Sequence, residues 1–259
     1  MNNIVRAIKD IFYPPRCIFC DEVIASNERP ICQECLKITI PTISEDICNR
    51  CGREKKACVC KRTTFLTDGI TAPYYYESVV AEGIKHFKKA EDIDRIEYFT
   101  ERLTERAFLT FADYKIDLIA SVPLHKDSLS ERGFDQMYPI AKRLAKTLHT
   151  PYIRILRKIF STEPQKDLDA DRRTGNLLGV FDVDRKFPVK NKNVLLIDDV
   201  ITTGSTTNEC AKMLKIYGAK NVYVLAIALS RPDKDDEEDK SDPIAELKER
   251  LSGKAGDFT

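Results

Sequence analysis

Two adjacent acidic residues, Asp198 and Asp199, follow a short apolar run, Val194–Ile197. After them comes a loop of small residues that opens a helix-like segment, and its members are Thr202, Thr203, Gly204, Ser205 and Thr206. Backbone amides in such a loop, at the start of a helix, suit a phosphate monoester. Two carboxylates beside a phosphate would repel it unless they face another part of the ligand, and adjacent acceptors suit a vicinal diol. Together these parts predict a site for a ribose 5-phosphate group.

Three other interpretations of the acidic pair compete with this one. A Walker-B strand also ends in acids, but the chain contains no GxxxxGK[ST] sequence, which disfavours a P-loop ATPase. A receiver domain opens with a strand that ends in paired acids, yet only 60 residues follow Asp199. That is too few for the remaining strands of a receiver. The third interpretation, a polar loop that only caps a helix, stays open.

Eight of the nine cysteines form four close pairs near the N-terminus, three of them CxxC and the last CxC. A CxxC turn directs two thiolates at one ion, and two such turns complete a tetrahedral zinc site. Four pairs therefore predict two structural zinc ions, because neither a redox motif nor a disulfide knot repeats at this spacing. Consecutive pairing would give one ion Cys17, Cys20, Cys32 and Cys35, and the other ion Cys48, Cys51, Cys58 and Cys60. An interleaved pairing also stays open.

The acidic pair must be positioned by the elements around it, and these alternate between strand-like and helix-like patterns from Phe65 to Ser230. This alternation is typical of an α/β domain with a mostly parallel sheet. Strands are predicted over 117–122, 194–197 and 222–229, and helices over 138–148 and 205–217. In open α/β sheets, ligands bind beyond the carboxyl ends of the strands, which is where the acidic pair and its loop should lie.

Charge and composition limit the remaining choices. The net charge is only +1, but residues 231–259 hold ten acids and six bases, so the rest of the chain is mildly basic and compatible with phosphate-rich ligands. No apolar run approaches the roughly 18–20 residues of a membrane span, and the first residues lack the apolar core of a signal peptide. We therefore expect a cytoplasmic protein without membrane insertion. Its parts would be a zinc-ribbon module (1–62), the α/β domain (63–230) and an acidic disordered tail (231–259).

The acidic pair and its loop resemble the 5-phosphoribosyl 1-diphosphate (PRPP) signature of type I phosphoribosyltransferases. Further segments, together with the paired cysteines, make the chain similar to the ComF family of competence proteins over residues 1–230. These segments are Val122-Pro-Leu-His125, Arg132-Gly-Phe-Asp-Gln136, Thr162-x-x-Gln165-x-x-Leu168, Arg172-Arg173-x-x-Asn176 and Gly179-x-Phe181. One departure is Asp135, where the family usually has Asn, and it adds negative charge near the expected site.

The resemblance implies a type I phosphoribosyltransferase-like fold behind a double zinc ribbon, and a role in DNA uptake. It implies Asp198 and Asp199 as the catalytic acids that hold the ribose hydroxyls, and PRPP binding by the loop Thr202–Thr206 together with Arg132 and Arg173. The turn after Val122 would meet the pyrophosphate, and residues 157–176 would form a mobile cover. Mg²⁺ would arrive with the diphosphate, since it favours oxygen ligands.

Two functions remain open from the sequence. In the first, the protein is a transferase acting on PRPP or a nucleotide, although no segment identifies a base-recognition pocket. In the second, the pocket is a sensor or binding site in a protein that handles incoming single-stranded DNA with a competence helicase as partner. Lys85, Lys88 and Lys89, with Phe87 among them, would then supply backbone contacts and base stacking. A solvated helix face explains the same lysines.

Overall fold

The computed structural model describes residues 12, 14–25, 30–38, 43, 46–89, 91–124, 129–130, 133–159 and 180–232. Besides a single 3₁₀ turn at Lys55–Ala57, its helices are α1 Gln33–Lys37, α2 Ser78–Phe87, α3 Ile93–Phe111, α4 Met137–Thr147 and α5 Ser205–Ile216. Its strands are β1 Gly69–Thr71, β2 Tyr74–Tyr75, β3 Leu118–Ser121, β4 Leu156–Lys158, β5 Phe181–Val183, β6 Asn193–Ile201 and β7 Asn221–Leu229. The elements predicted from the sequence are all present.

The main sheet is parallel throughout its described strands, in the order β1-β7-β6-β3, and β2 pairs with β7 farther along its length. Strands β4 and β5 form a separate antiparallel pair. Val194–Ile197 at the centre of β6 is fully buried. A strand covered on both faces reads as a continuous apolar run, which is why this strand was recognisable from its sequence.

Strand β6 is longer than its apolar run predicts. The acidic pair was expected at the strand end, but Val200 and Ile201 still pair with Ala228 and Leu229 of β7. The ladder is made by backbone groups, so it continues after the side chains have become polar. Asp198 and Asp199 therefore lie inside the last part of the strand, just before the loop.

Helices cover the sheet on both faces, and each face has its own hydrophobic cluster. One cluster contains side chains of α2, α3 and α4 and extends into the first cysteine group through Ile18, Phe19 and Cys35. The other contains side chains of α5, β4 and β5 and extends into the second cysteine group through Cys51. The core is therefore continuous across the predicted module boundary at residue 62, and the ribbons are built into it.

Arg95 of α3 joins the first cysteine group to the helices. Its side chain is 5% exposed and donates to the carbonyl oxygens of Ile18 (2.9 Å) and Cys17 (3.1 Å). It also forms ion pairs with Asp21, at 2.7 Å, and with Asp92. A buried guanidinium with several donors satisfied fixes the geometry of the groups around it.

Among the described residues, every helix is too short or too polar to cross a bilayer. The acidic segment predicted as a disordered tail, 231–259, lies outside the described residues from position 233 onward.

Candidate functional site

The loop after β6 turns sharply into α5 at Gly204. Gly204 has a φ of +81° and directly precedes the first residue of α5, so the N-cap residue has no side chain, and the Thr203 hydroxyl accepts from the Ser205 amide at 3.3 Å. Thr202 and Thr203 are exposed, and the Thr203 hydroxyl lies 2.8 Å from that of Ser205. The first amides of a helix carry partial positive charge and point outward. The loop thus presents amide and hydroxyl donors to solvent at the carboxyl edge of the sheet.

Packing beneath the loop gives a second reason for glycine at position 204. A Cβ atom there would lie 3.0 Å from Cε1 of the buried Phe65, in addition to adopting a left-handed φ that side chains disfavour. Phe65 is kept in place by Asn208 of α5, whose side chain accepts from the amide of Leu66 (2.8 Å) and donates to the carbonyl of Thr64 (2.9 Å). The segment that leaves the second cysteine group therefore supports the loop from below.

The two carboxylates have different surroundings. Adjacent residues of a strand point to opposite faces, and Asp199 forms a 2.8 Å ion pair with Lys88, just beyond the C-terminus of α2. On the other side of the sheet, burial raises the pKa of the Cys210 thiol in α5, and the charge of Asp198 adds to this effect. Each carboxylate also accepts the backbone N–H of the residue that follows it, at 2.9 Å and 2.6 Å.

These surroundings set the protonation of Asp198. Burial, followed by the neighbouring charge of Asp199, raises the pKa of Asp198 to about 8, against the opposing effects of the Asp199 amide and Lys88. A buried carboxylic acid is neutralised when no charge partner offsets its desolvation. The raised pKa of Asp198 disfavours a second negative charge beside Asp199, whose own charge is balanced by Lys88.

A cavity of about 600 Å³ opens beside the end of β3. Ser121 lines the cavity and pairs with Ile197 of the acid-bearing strand, and the amide of Val122 donates to the carbonyl of Ile197 at 2.9 Å. The cavity therefore adjoins that strand.

Pro123 and Leu124 of the turn expected to meet pyrophosphate line the cavity, and so do three cationic side chains, Arg154, Arg157 and Lys158, and the carboxylate of Asp135. The acidic pair and the Thr202–Thr206 loop are not among its lining residues. The excess of cations suits an anionic group with an apolar neighbour.

Asp135, the departure from the family pattern, has a structural role. Its Oδ1 accepts from the amides of Met137 and Tyr138, each at 3.2 Å, at the start of α4. Its Oδ2 lies 3.5 Å from Arg154, which stacks over the Tyr138 ring at 4.0 Å. Asn offers the same capping oxygen, and Arg154 compensates the additional charge that Asp brings.

Several predicted contact residues lie outside the described residues: Arg132, Arg173, His125, Gln165 and Arg172. Of the expected cover, Arg157 is described. It is largely exposed on β4 and faces Asp182 of β5 at 3.5 Å.

The prediction that Phe87 could stack on a nucleic-acid base is wrong. Phe87 is fully buried and packs against Phe99 with a centroid distance of 5.4 Å, so it cannot stack on a base. Lys85 pairs with Glu82 on the exposed side of α2, and Lys88 pairs with Asp199. The sequence suggested Lys88 only as a nucleic-acid contact, whereas its position makes it part of the acidic site.

The cysteines form two tetrads with consecutive pairing, which excludes the interleaved alternative. The sulfur atoms of Cys17, Cys20, Cys32 and Cys35 lie within 4.8 Å of one another, as do those of Cys48, Cys51, Cys58 and Cys60. Tetrahedral zinc with Zn–S bonds of about 2.3 Å separates its sulfurs by about 3.8 Å. The sulfur–sulfur distances agree: 3.5 Å for Cys20–Cys32, 3.7 Å for Cys48–Cys60 and 3.8 Å for Cys51–Cys58.

The chemistry of the tetrads also fits zinc. Burial opposes ionisation of Cys17 and Cys48, but hydrogen bonds from backbone amides outweigh it and lower the pKa of each thiol to about 7. Burial raises the pKa of Cys20, Cys35 and Cys60, so each tetrad combines one readily ionised thiol with others that a metal ion must help to deprotonate. Zinc binds the thiolate form. Each tetrad supplies four sulfur ligands, which makes both sites structural.

Arg53 and Asn208 are site residues that the sequence did not reveal. Arg53 belongs to the second cysteine group, yet its guanidinium donates to the carbonyl of Thr202 at 2.9 Å. Asn208 is one polar residue among several in α5. Neither belongs to a motif, and the contacts of both join positions more than 140 residues apart, so no local signal marks them.

Comparison with known proteins agrees with this geometry. The chain matches the model of the double zinc ribbon domain over residues 8–64 and that of the phosphoribosyl transferase domain over residues 135–250. It is 27% identical to Competence protein F of Haemophilus influenzae, over 84% of this chain and 98% of that protein. It is 26% identical to Competence protein ComFC of Bacillus subtilis, over 76% and 88% respectively. This chain is similar to these competence proteins over most of its length.

Among solved structures, this chain overlaps with a purine phosphoribosyltransferase of Pyrococcus horikoshii. The overlap covers 52% of this chain and 72% of that one, at 21% identity and a TM-score of 0.33. The fold assignment rests instead on the matched domain and on the parallel sheet, in which the acid-bearing strand lies at the centre. The type I phosphoribosyltransferase-like fold predicted from the sequence is thereby confirmed.

We predict that the protein holds about two zinc ions per chain, because two complete cysteine tetrads are present. Elemental analysis of reduced, chelator-free protein measures this directly. Replacing Cys58 by Ser should lower the content to about one ion, since the first tetrad shares no ligand with the second. Well under one zinc per chain in the unchanged protein would contradict the assignment.

We also predict that Asp198 makes ligand-free stability fall as pH rises. Between the ordinary pKa of about 3.9 and the folded pKa of about 8, the folded state binds the proton that the unfolded state has lost. The free energy of unfolding should therefore decrease with rising pH, by up to about 1.4 kcal/mol per pH unit from this group.

Urea denaturation at pH 5.5 and pH 8 tests this linkage, with Asp198→Asn as the comparison, because Asn keeps the oxygen that accepts the Asp199 amide. The variant should lose most of the decrease and be the more stable protein at pH 8. Equal pH dependence in the two proteins would show that Asp198 is ionised in the folded state.

Proposed function

We propose that this protein is a member of the ComF family and binds PRPP, or a related ligand carrying ribose 5-phosphate, at the carboxyl end of β6, as part of DNA uptake in natural transformation. The observation that carries the proposal is the left-handed turn at Gly204, which joins an acid-bearing strand to a helix whose N-cap residue has no side chain. The proposed 5-phosphate site is the loop Thr202–Thr206, and the proposed ribose site is the acidic pair.

The electrostatics of the acidic pair support an anionic ligand. Two free carboxylates would repel a phosphate, but the raised pKa of Asp198 disfavours its ionisation, and Asp199 is paired with Lys88 at 2.8 Å. The negative charge of the pair is therefore reduced. Asp199 can still accept a charge-assisted hydrogen bond from a ribose hydroxyl, while protonated Asp198 can donate as well as accept.

The cavity beside β3 supports a place for the diphosphate. Arg154, Arg157 and Lys158 line it, and it adjoins the strand that carries the acids. Arg132 and Arg173 are proposed as further contacts. Mg²⁺ is proposed to arrive with the diphosphate and to be held mainly by ligand oxygens and water, as is usual for this ion.

The role in DNA uptake is proposed from the relatives, two of which are called competence proteins. Cytoplasmic location, single-stranded DNA and a competence helicase as partners belong to the same proposal. The burial of Phe87 removes one stacking residue that direct DNA contact would have used.

Calorimetric titration with PRPP and Mg²⁺ tests the ligand, with Asp199→Asn as the variant. Loss of charge-assisted hydrogen bonds should weaken PRPP by about 1–3 kcal/mol, which is about 5- to 150-fold. Asp113→Asn, the same change at an exposed residue after α3, is the matched control and should bind like the unchanged protein.

The absence of PRPP or ribose 5-phosphate binding at millimolar ligand in the unchanged protein would sink the proposal. Equal affinity in Asp199→Asn would remove Asp199 from the site. Release of pyrophosphate when candidate bases are added to the same samples would identify the protein as a transferase.

A further inference from the structure

The second cysteine tetrad reaches the proposed phosphate loop through one buried side chain. Arg53 is 3% exposed. Its guanidinium joins the two segments that follow the central strands β6 and β7. Nε donates to the carbonyl of Ser230, after β7, at 3.0 Å, and Nη2 donates to the carbonyl of Thr202, after β6, at 2.9 Å. Thr202 is the first residue of the loop.

The backbone at Arg53 is fixed by the turn that carries two of the cysteines. The amide of Cys48 donates to the carbonyl of Arg53, and the amide of Gly52 donates to the carbonyl of Cys48, both at 2.8 Å. Gly52 has a φ of +72°, and a Cβ atom there would lie 2.5 Å from the carbonyl oxygen of Ile70 in β1. The turn therefore lies directly against the sheet and cannot move closer or tilt freely.

The bond to Thr202 determines how the loop presents a donor. A peptide unit is planar and trans, so its C=O and N–H point in opposite directions. Because Arg53 holds the carbonyl of Thr202, the amide N–H of Thr203 in the same unit must point away from Arg53. Among the described residues, the Thr203 amide does not donate to any backbone carbonyl in the turns and loops, and no side chain of the loop accepts from it.

Stability alone does not explain why position 53 is an arginine. No carboxylate pairs with Arg53 among the described residues, and its Nη1 is buried without a hydrogen-bond partner there. A buried unsatisfied donor costs free energy, and apolar side chains often replace buried charges without loss of stability. What the arginine adds is a rigid fork that reaches two carbonyls at once, which the single ammonium of a lysine does less well.

We propose that Arg53 is a positioning residue for the phosphate loop: it orients the Thr203 amide, and through that amide it sets the affinity for the ligand's 5-phosphate. The inference rests on the proposed function. Arg53 is buried behind the loop, with Nε and Nη2 directed at the Ser230 and Thr202 carbonyls, so the proposed role is indirect and not a contact with the ligand.

The test compares Arg53→Met and Arg53→Lys with Arg62→Met. Methionine keeps the length and apolar bulk of the arginine stem and removes both hydrogen bonds. Arg62 is an exposed arginine in the same cysteine-rich segment, so its variant controls for the loss of a positive charge there. Zinc content and thermal unfolding are measured first, and all three variants should retain two zinc ions.

The first readout needs no ligand. Amide hydrogen exchange in peptides covering residues 202–208 should be faster in Arg53→Met than in Arg62→Met or the unchanged protein, and intermediate in Arg53→Lys. The second readout is calorimetric affinity for PRPP with Mg²⁺, which should fall about tenfold in Arg53→Met, less in Arg53→Lys, and not in Arg62→Met.

The two proposals fail in distinguishable ways. If the unchanged protein binds no PRPP, the proposed function fails, and the exchange readout still decides whether Arg53 orders the loop. If the unchanged protein binds and Arg53→Met binds equally well, or if exchange over 202–208 is unchanged, the positioning role is overturned. Should Arg53→Met fail to fold, Arg53→Lys decides, because a weakened affinity with normal zinc content supports the role and full affinity contradicts it.

Discussion

The parallel pairing of β6 with β7 is the constraint on which the rest of the structure depends. These two nine-residue strands are paired along their length at the centre of the sheet; β7 is buried except at its first residue, and β6 is buried over Val194–Ile197 and at Ile201. Their pairing continues past Asp198 and fixes where Thr202 and Ser230 emerge, side by side, at one edge of the sheet. Both hydrophobic clusters are built on the two faces of these strands, so the position of the site and the stability of the fold have a common origin.

The two zinc ribbons pack on that sheet and share its hydrophobic clusters. The first tetrad extends the cluster on the face of α2, α3 and α4, and the second extends the cluster on the face of α5. A short segment cannot bury enough apolar surface to fold alone, and metal ligation replaces the missing burial. Each ribbon also lies near the acidic site: Gly83 of α2, the helix that precedes Lys88, packs on Phe19, and Arg53 holds Thr202.

The sequence predicted the features that are encoded locally and missed those that depend on distant contacts. Four cysteine pairs at short spacing can only form compact turns, and the Val194–Ile197 run could only be buried. In contrast, the ion pair of Lys88 with Asp199 joins residues that are 111 positions apart, and the burial of Phe87 depends on α3. The length of β6 was underestimated because the backbone makes the hydrogen bonds of the ladder, so the pattern of side chains does not show where they end.

The central claim is that the Gly204 loop binds the phosphate of a ribose 5-phosphate group, and phosphorus NMR tests it most directly. PRPP has a 5-phosphate that resonates separately from its diphosphate, so contacts to the two ends can be distinguished. Titrating the zinc-loaded protein into PRPP with Mg²⁺ should shift or broaden the 5-phosphate resonance, and Gly204→Val should abolish the change. A 5-phosphate resonance that stays unperturbed while the diphosphate signals respond would contradict the account, because the anion would then be held elsewhere.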